Sequence, residues 1–252
     1  MNKEYVKQYV RLEKEHWWFV VRKKIILQVL KKYIHKNQVS ILNVGAAGGA
    51  SSQWLSVFGN VVSVENEPGF IEQLKEKNFQ VVEASVITMP FENNSFDVVC
   101  AFDVIEHVDN DAAAMNELQR VCKTGGVVCV TVPAFPLLWS SHDIANGHVR
   151  RYTKNSLLTL AEFFPQLLNA EIRYFNSLLF LPILVARKFS AIFKKDAVKG
   201  QSDFTFYKTP RILNALFKLI FSAEPLLLPF ISFPVGVSMI GVWKKTGTNN
   251  KE

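Results

Sequence analysis

The sequence predicts an α/β protein: a seven-stranded, mostly parallel sheet with helices on both faces. Three observations predict it. From residue 39 onward, short apolar runs alternate with helix-length segments. The first run breaks into a glycine-rich turn at Gly45–Gly49, and a helix-like segment follows. The next run ends in an acid, Glu65. Strand, glycine turn, helix, strand, acid is the order in which α/β sheets build a nucleoside pocket.

The elements follow in order. Residues 2–14 read as a polar helix and 17–34 as an amphipathic one. Strands are expected at Val39–Val44, Val61–Val64, Gln80–Ala84, Phe96–Phe102 and Val127–Val132. Helices at Ala50–Phe58, Pro68–Lys77 and Asp109–Val121 separate them. Gly125 and Gly126 are expected to end the last of these helices before the fifth strand. Residues 133–152 form a loop rich in aromatic and polar residues, of a length that is usually functional. A helix at Lys154–Phe164, a strand at Ala170–Asn176 and a last strand at Val237–Lys244 complete the sheet. The expected organisation is a helical cap at 1–36, a core at 37–176, an apolar and basic helical insertion at 177–234, and the last strand with a tail at 235–252.

Charge is unevenly spread over the 252 residues. Residues 1–36 hold ten Lys/Arg against three acids, and residues 187–218 hold eight against two. The stretch 37–186 holds eight against fifteen. Two basic segments that flank an acidic middle suit solvated helix faces, or a surface that meets an anionic membrane or a phosphorylated substrate. No nucleic-acid motif accompanies the charge, so no nucleic-acid partner is expected. The three cysteines have neither disulfide nor metal spacing, which reads as a reduced, cytoplasmic chain with no metal site. The charged N-terminus lacks the apolar core of a signal peptide. Pro225, Pro229, Pro234, Gly236 and Gly241 break the apolar run near the end, which favours an insertion packed on the domain or lying on a bilayer over a spanning helix.

Four stretches together resemble the Rossmann-like class I S-adenosylmethionine-dependent methyltransferases, in their bacterial small-molecule branch. They are Leu42–Gly49, Val64-Glu65, Met89–Val99, and Asp103–Val108 with Arg120-Val121 and Gly125-Gly126. The resemblance covers about residues 16–176 and the final strand. Two positions depart from the family pattern: Asn43 stands where an acid is usual, and Ala47 where a glycine is usual. A narrower similarity, to methyltransferases of cell-envelope polysaccharide or lipid-linked sugar pathways, rests on His16–Phe19 with Arg22, Trp139–Asp143 and Gly147–Tyr152.

The resemblance implies S-adenosyl-L-methionine as cofactor. Asn43, Gly45, Ala46, Ala47 and Gly49 would meet its methionine part, Glu65 its ribose hydroxyls, Asn66 and Ser85 its adenine, and Asp103 its sulfonium end. His142 and His148, then His107, are the candidate bases, since imidazole exchanges protons near neutral pH. Asp143, Arg150, Arg151 and Tyr152 are the candidate substrate contacts, the arginines as forked donors to an anionic group. Trp17, Trp18 and Phe19 read as an apolar clasp over the cleft, and Arg22 as a donor to the cofactor carboxylate. The expected reaction is methyl transfer, on oxygen by family resemblance, to a small-molecule or lipid-linked saccharide. A nicotinamide-dependent oxidoreductase and a catalytically silent membrane- or partner-binding protein remain as alternatives. The oligomeric state is not readable from the sequence.

Overall fold

The computed structural model describes residues 3–164, 166–193 and 210–247. Two N-terminal helices, α1 (Lys3–Glu15) and α2 (Trp17–Leu30), precede β1 (Val39–Val44), α3 (Ala50–Leu55), β2 (Gly59–Glu65), α4 (Pro68–Glu76) and β3 (Gln80–Glu83). Then come β4 (Phe96–Phe102), α5 (Asp111–Val121), β5 (Cys122–Pro133), α6 (Ser141–Ala145), α7 (Lys154–Glu162) and β6 (Leu167–Phe175). Helices α8 (Phe180–Phe193), α9 (Arg211–Ser222) and α10 (Glu224–Leu227) lead into β7 (Ser238–Lys245).

The seven strands form one sheet in the order β3-β2-β1-β4-β5-β7-β6. The first five strands pair in parallel, and β7 runs antiparallel to both β5 and β6. Strand order reverses between β1 and β4, so the carboxyl ends of these two strands open a crevice.

Alternation along the strands builds a core on each face. On β4, Val99 and Ala101 join the cluster that holds Met115 and Leu118 of α5 and Leu157 of α7. Val98, Cys100 and Phe102 join the opposite cluster, with Val21 and Ile25 of α2, Leu55 of α3 and Phe221 of α9. Neighbours on one strand therefore bury into different layers, as a period of two requires. Each buried aliphatic side chain of this kind contributes about 1.5–3 kcal/mol. Helix α2 and the insertion thus share one apolar layer over the sheet. A polar tie joins them too: the Trp17 N–H donates to Asn214 Oδ1 at 3.0 Å.

The structure corrects two expectations here. Gly125 and Gly126 do not separate α5 from β5, because the strand begins at Cys122. Cys122 pairs with Phe96, and regular pairing resumes only at Val127 with Val98, so the glycines sit in a bulge. Gly125 there takes φ +80°. The stretch 133–152 is also not one irregular loop. It contains a 3₁₀ turn at Pro136–Leu138 and the short helix α6. Ser140 and Asp143 form a reciprocal capping box that starts α6.

Two of the sequence passages prove structural. Arg120 donates to the carbonyls of Phe91 (2.7 Å) and Met89 (3.0 Å), while Glu117 accepts the Met89 N–H (2.6 Å). This pair pins the Met89–Asn93 loop ahead of β4. Asp97 accepts from the Ser40 backbone N–H and hydroxyl and from the Lys123 ammonium. Burial raises its pKa, but these donors outweigh burial and hold it at about 2.

Candidate active site

The glycine turn after β1 is shaped by three positive φ angles: Gly45 (+69°), Ala47 (+44°) and Gly49 (+89°). At Gly45 a Cβ would come within 2.5 Å of Val104 Cγ2, so this position needs a glycine. Ala47 accepts a left-handed conformation that costs an L-residue about 1–2 kcal/mol. The neighbouring acid secures it. Glu65 Oε2 accepts the Ala47 N–H at 2.8 Å, and Oε1 accepts the N–H groups of Asn66 (2.9 Å) and Glu67 (3.0 Å). A carboxylate offers about four acceptor positions, so one lone pair on Oε2 is left for a ligand hydroxyl.

A cleft of about 1260 Å³ opens over this turn, and Gly45, Ala47, Glu65, Asn66, Ser85 and Asp103 line its first half. That exceeds the usual 300–1,000 Å³ of a single small-ligand site and leaves room for two ligands side by side. Trp17, Trp18, Phe19 and Arg22 of α2 line it from the N-terminal side. Leu179, Ile183, Leu213 and Phe217 line it from the insertion. His107, His142, His148 and Arg151 form its polar wall.

Arg22 crosses the cleft floor. Its guanidinium ion-pairs with Asp103 Oδ2, donates to Thr131 Oγ1 at 2.8 Å and sits 4.6 Å from the centroid of the Trp18 ring. Its Nε is buried and has no acceptor among the described residues. Asp103 follows β4 with φ +55°, a conformation aspartate tolerates better than most residues.

The far wall is organised by Asp143, which is fully buried. Its Oδ1 accepts from Arg151 Nε at 2.7 Å and from His148 Nδ1 at 2.9 Å, and its Oδ2 accepts the Ser140 N–H at 2.9 Å. Burial works against the charge, but His148 and Arg151 hold the carboxyl well below the usual carboxylate range. His107 lies edge-on to His148, with ring centroids 4.8 Å apart. Although the residue is exposed at the surface, desolvation by the protein packed around its ring and the neighbouring His148 lower the His107 pKa. Glu106 is wholly buried, neither carboxylate oxygen has a partner among the described residues, and burial together with Asp103 pushes its pKa up.

Residues 42–130 match the sequence family described as a methyltransferase domain. This stretch is thus similar to a methyltransferase domain. The chain is 31% identical over 104 residues to an uncharacterised protein of Methanocaldococcus jannaschii, covering 41% of this chain and 45% of that one. It is 31% identical over 102 residues to a demethylmenaquinone methyltransferase of Staphylococcus epidermidis, covering 36% and 42%. The matches thus span less than half the length of these relatives. A SAM-dependent methyltransferase from Archaeoglobus fulgidus has the same fold at a TM-score of 0.59 and 17% identity, over 94% of this chain and 99% of that one.

Around the cleft, several expected contacts are corrected. Asn43 faces away from the cleft. It is wholly buried and donates to the Ser51 and Ser52 hydroxyls, both at 2.8 Å, while Ser52 bonds Ser63 at 2.7 Å. An amide here ties β1, α3 and β2 together. The turn's N–H groups are also engaged inside the chain. Gly45 and Ala46 donate to Val64 O (2.8 and 3.2 Å), and Gly49 donates to Ala46 O (2.9 Å). Ala46 and Gly49 do not line the cleft. Gly49 instead lets Leu74 and Phe79 pack on the backbone, since a Cβ would meet both within 3 Å.

On the other wall, Arg150 pairs with Asp111 at 2.7 Å and donates to Asp109 O, and Tyr152 is buried with its hydroxyl donating to Asp111 at 2.8 Å. Both fasten the polar loop to the start of α5, and neither lines the cleft. Asp143 stands behind the wall, not on it. Arg22 meets Asp103, so that pair closes the cleft floor. Glu106 lines the cleft although the sequence reading assigns it no role. The signal was available as a charged residue inside an otherwise apolar run, Val104-Ile105.

Proposed function

We propose that the chain binds S-adenosyl-L-methionine and moves its methyl group to an oxygen of a small-molecule or lipid-linked saccharide acceptor. The observation that supports this reading is a single large cleft lined both by strand-tip residues beside Glu65 and by His107, His142, His148 and the insertion. The donor set suits the cofactor. Glu65 has one open acceptor position for a ribose hydroxyl, and Ser85 and Asn66 offer polar groups beside it. When bound, the cofactor supplies a methyl carbon activated by its sulfonium.

The protein's part is alignment, water exclusion and proton removal. Trp17, Trp18 and Phe19 form the apolar side of the cleft and exclude water. His142, His148 and His107 also line the cleft, and one of them takes the hydroxyl proton as the new bond forms. Arg151 is already committed to Asp143 and the Ala134 carbonyl, so its role is to hold the wall in place. Calorimetry on the purified chain separates the rivals. Binding of S-adenosylmethionine and not NADH is expected; binding of NADH indicates an oxidoreductase, and binding of neither a silent fold.

The insertion favours an acceptor drawn from a membrane surface. Ile212 (81% exposed), Leu219 (72%), Leu226 (74%) and Phe230 (86%) are exposed apolar residues of the insertion, with Arg211 and Lys218 on the same helix as the first two. Among the described residues no helix is long and apolar enough to cross a membrane. We propose a cytoplasmic chain that lies peripheral to an anionic bilayer, a reading supported by the exposed apolar and basic residues of the insertion. Flotation with anionic vesicles should carry it to the lipid fraction, and replacing Ile212, Leu219 and Phe230 by Ser should leave it behind. A wild-type chain that stays at the bottom of the gradient refutes the membrane role.

A further inference from the structure

We propose that Glu106, His107 and His148 bind one divalent transition-metal ion at the acceptor end of the cleft. The three residues come from two segments that the sequence keeps about forty positions apart, the turn after β4 and the loop after α6. In the fold, one ligand atom from each lies within 4.8 Å of the other two. Two imidazoles and one carboxylate form a donor set suited to Mn²⁺, Fe²⁺ or Zn²⁺.

Three independent features point to an ion. Glu106 is fully buried, lines the cleft, and has two carboxylate oxygens without a partner among the described residues. An unpaired buried carboxylate is costly, and a cation beside it removes that cost. The second feature is the support behind each histidine. His148 Nδ1 is held by Asp143 at 2.9 Å, which leaves Nε2 as its ligand atom. The Asn146 and Gly147 carbonyls stand ready to accept from the His107 ring. Metal-bound histidines are oriented in this way, by a carboxylate or carbonyl on the second nitrogen. The third feature is access. His107 is exposed at the mouth of the cleft. Three protein ligands leave coordination positions open toward the cavity, as in catalytic sites and unlike closed structural ones.

The open positions would take oxygen donors. If the methyl-transfer reading holds, the acceptor is then a molecule with a chelating hydroxyl or carboxylate, and His142 is the histidine left to act as base. Ion uptake itself does not depend on that reading. Arg22 and Arg151 are the cations nearest Glu106; each is already neutralised, by Asp103 and Asp143.

The test uses the untagged full chain, stripped with chelator, with no cofactor present. Mn²⁺ is titrated and followed by electron paramagnetic resonance, with Zn²⁺ by calorimetry as a second probe. One ion per chain is expected. Glu106→Gln and His107→Ala should each weaken it at least tenfold. His107 is exposed, so its variant keeps the test open should Glu106→Gln fold poorly. No uptake by the wild type, or equal uptake by a folded variant, overturns the site. Since S-adenosylmethionine is absent, a negative result here leaves the cofactor measurement untouched, and the reverse also holds.

Discussion

Glu65→Gln should raise the dissociation constant for S-adenosylmethionine about 100-fold, with the chain still folded. Three backbone N–H groups, from Ala47, Asn66 and Glu67, converge on this one carboxylate. An amide has a single acceptor oxygen, and its NH₂ would face at least one N–H head-on. The turn must then open to relieve the conflict, and the position meant for the ribose hydroxyl goes with it. Losing one charge-assisted bond to the ligand costs about 1.5–3 kcal/mol. Loosening of the turn adds to that, which brings the total near the 2.7 kcal/mol that a hundredfold change represents. Calorimetry reads the affinity, and circular dichroism confirms the fold. An affinity within threefold of wild type would remove Glu65 from the site.

Asp143→Asn should be the most destabilising isosteric change in the wall. The carboxylate is fully buried and pairs with Arg151, whose side chain is 2% exposed. Its removal leaves a guanidinium buried without a counter-charge, at a cost of about 3–5 kcal/mol. For a chain of this size that lowers the melting temperature by roughly 6–20 °C. The deficit depends on pH in a defined direction. The folded-state pKa of Asp143 is depressed, so its contribution is complete above the unfolded carboxylate value of about 3.9 and is lost as pH falls toward the folded value. The Asp143 contribution to the gap between wild type and variant should therefore be present at pH 7 and narrow below about pH 4. Thermal melts across that range measure it. A gap that is small at pH 7, or that widens in acid, contradicts this account of the pair.

Much of the site was legible because some of its requirements are local. Gly45 is needed where a Cβ would strike Val104, and Glu65 ends the strand beside it. The passages around Met89–Val99 and Arg120 were equally legible, although their job is structural: Arg120 and Glu117 hold the loop that feeds β4. The less legible part concerns direction. Asn43, Arg150 and Tyr152 all have the chemistry of ligand contacts, but Asn43 turns into α3 and the other two turn toward Asp111. Residue type reveals what a side chain can bind. Which of several partners it meets depends on distances that the sequence does not contain.

The order of strands, the glycine turn, the strand-end acid and the alternating apolar faces were determined by the chain itself, since each depends on periods of two or 3.6 residues and on neighbours a few positions away. Tertiary structure alone decided that Arg22 meets Asp103, that the insertion and helix α2 share one layer, and that Glu106 and His107 stand beside His148. These contacts join segments separated by forty to two hundred residues, and only the packing of both sheet faces brings them within reach.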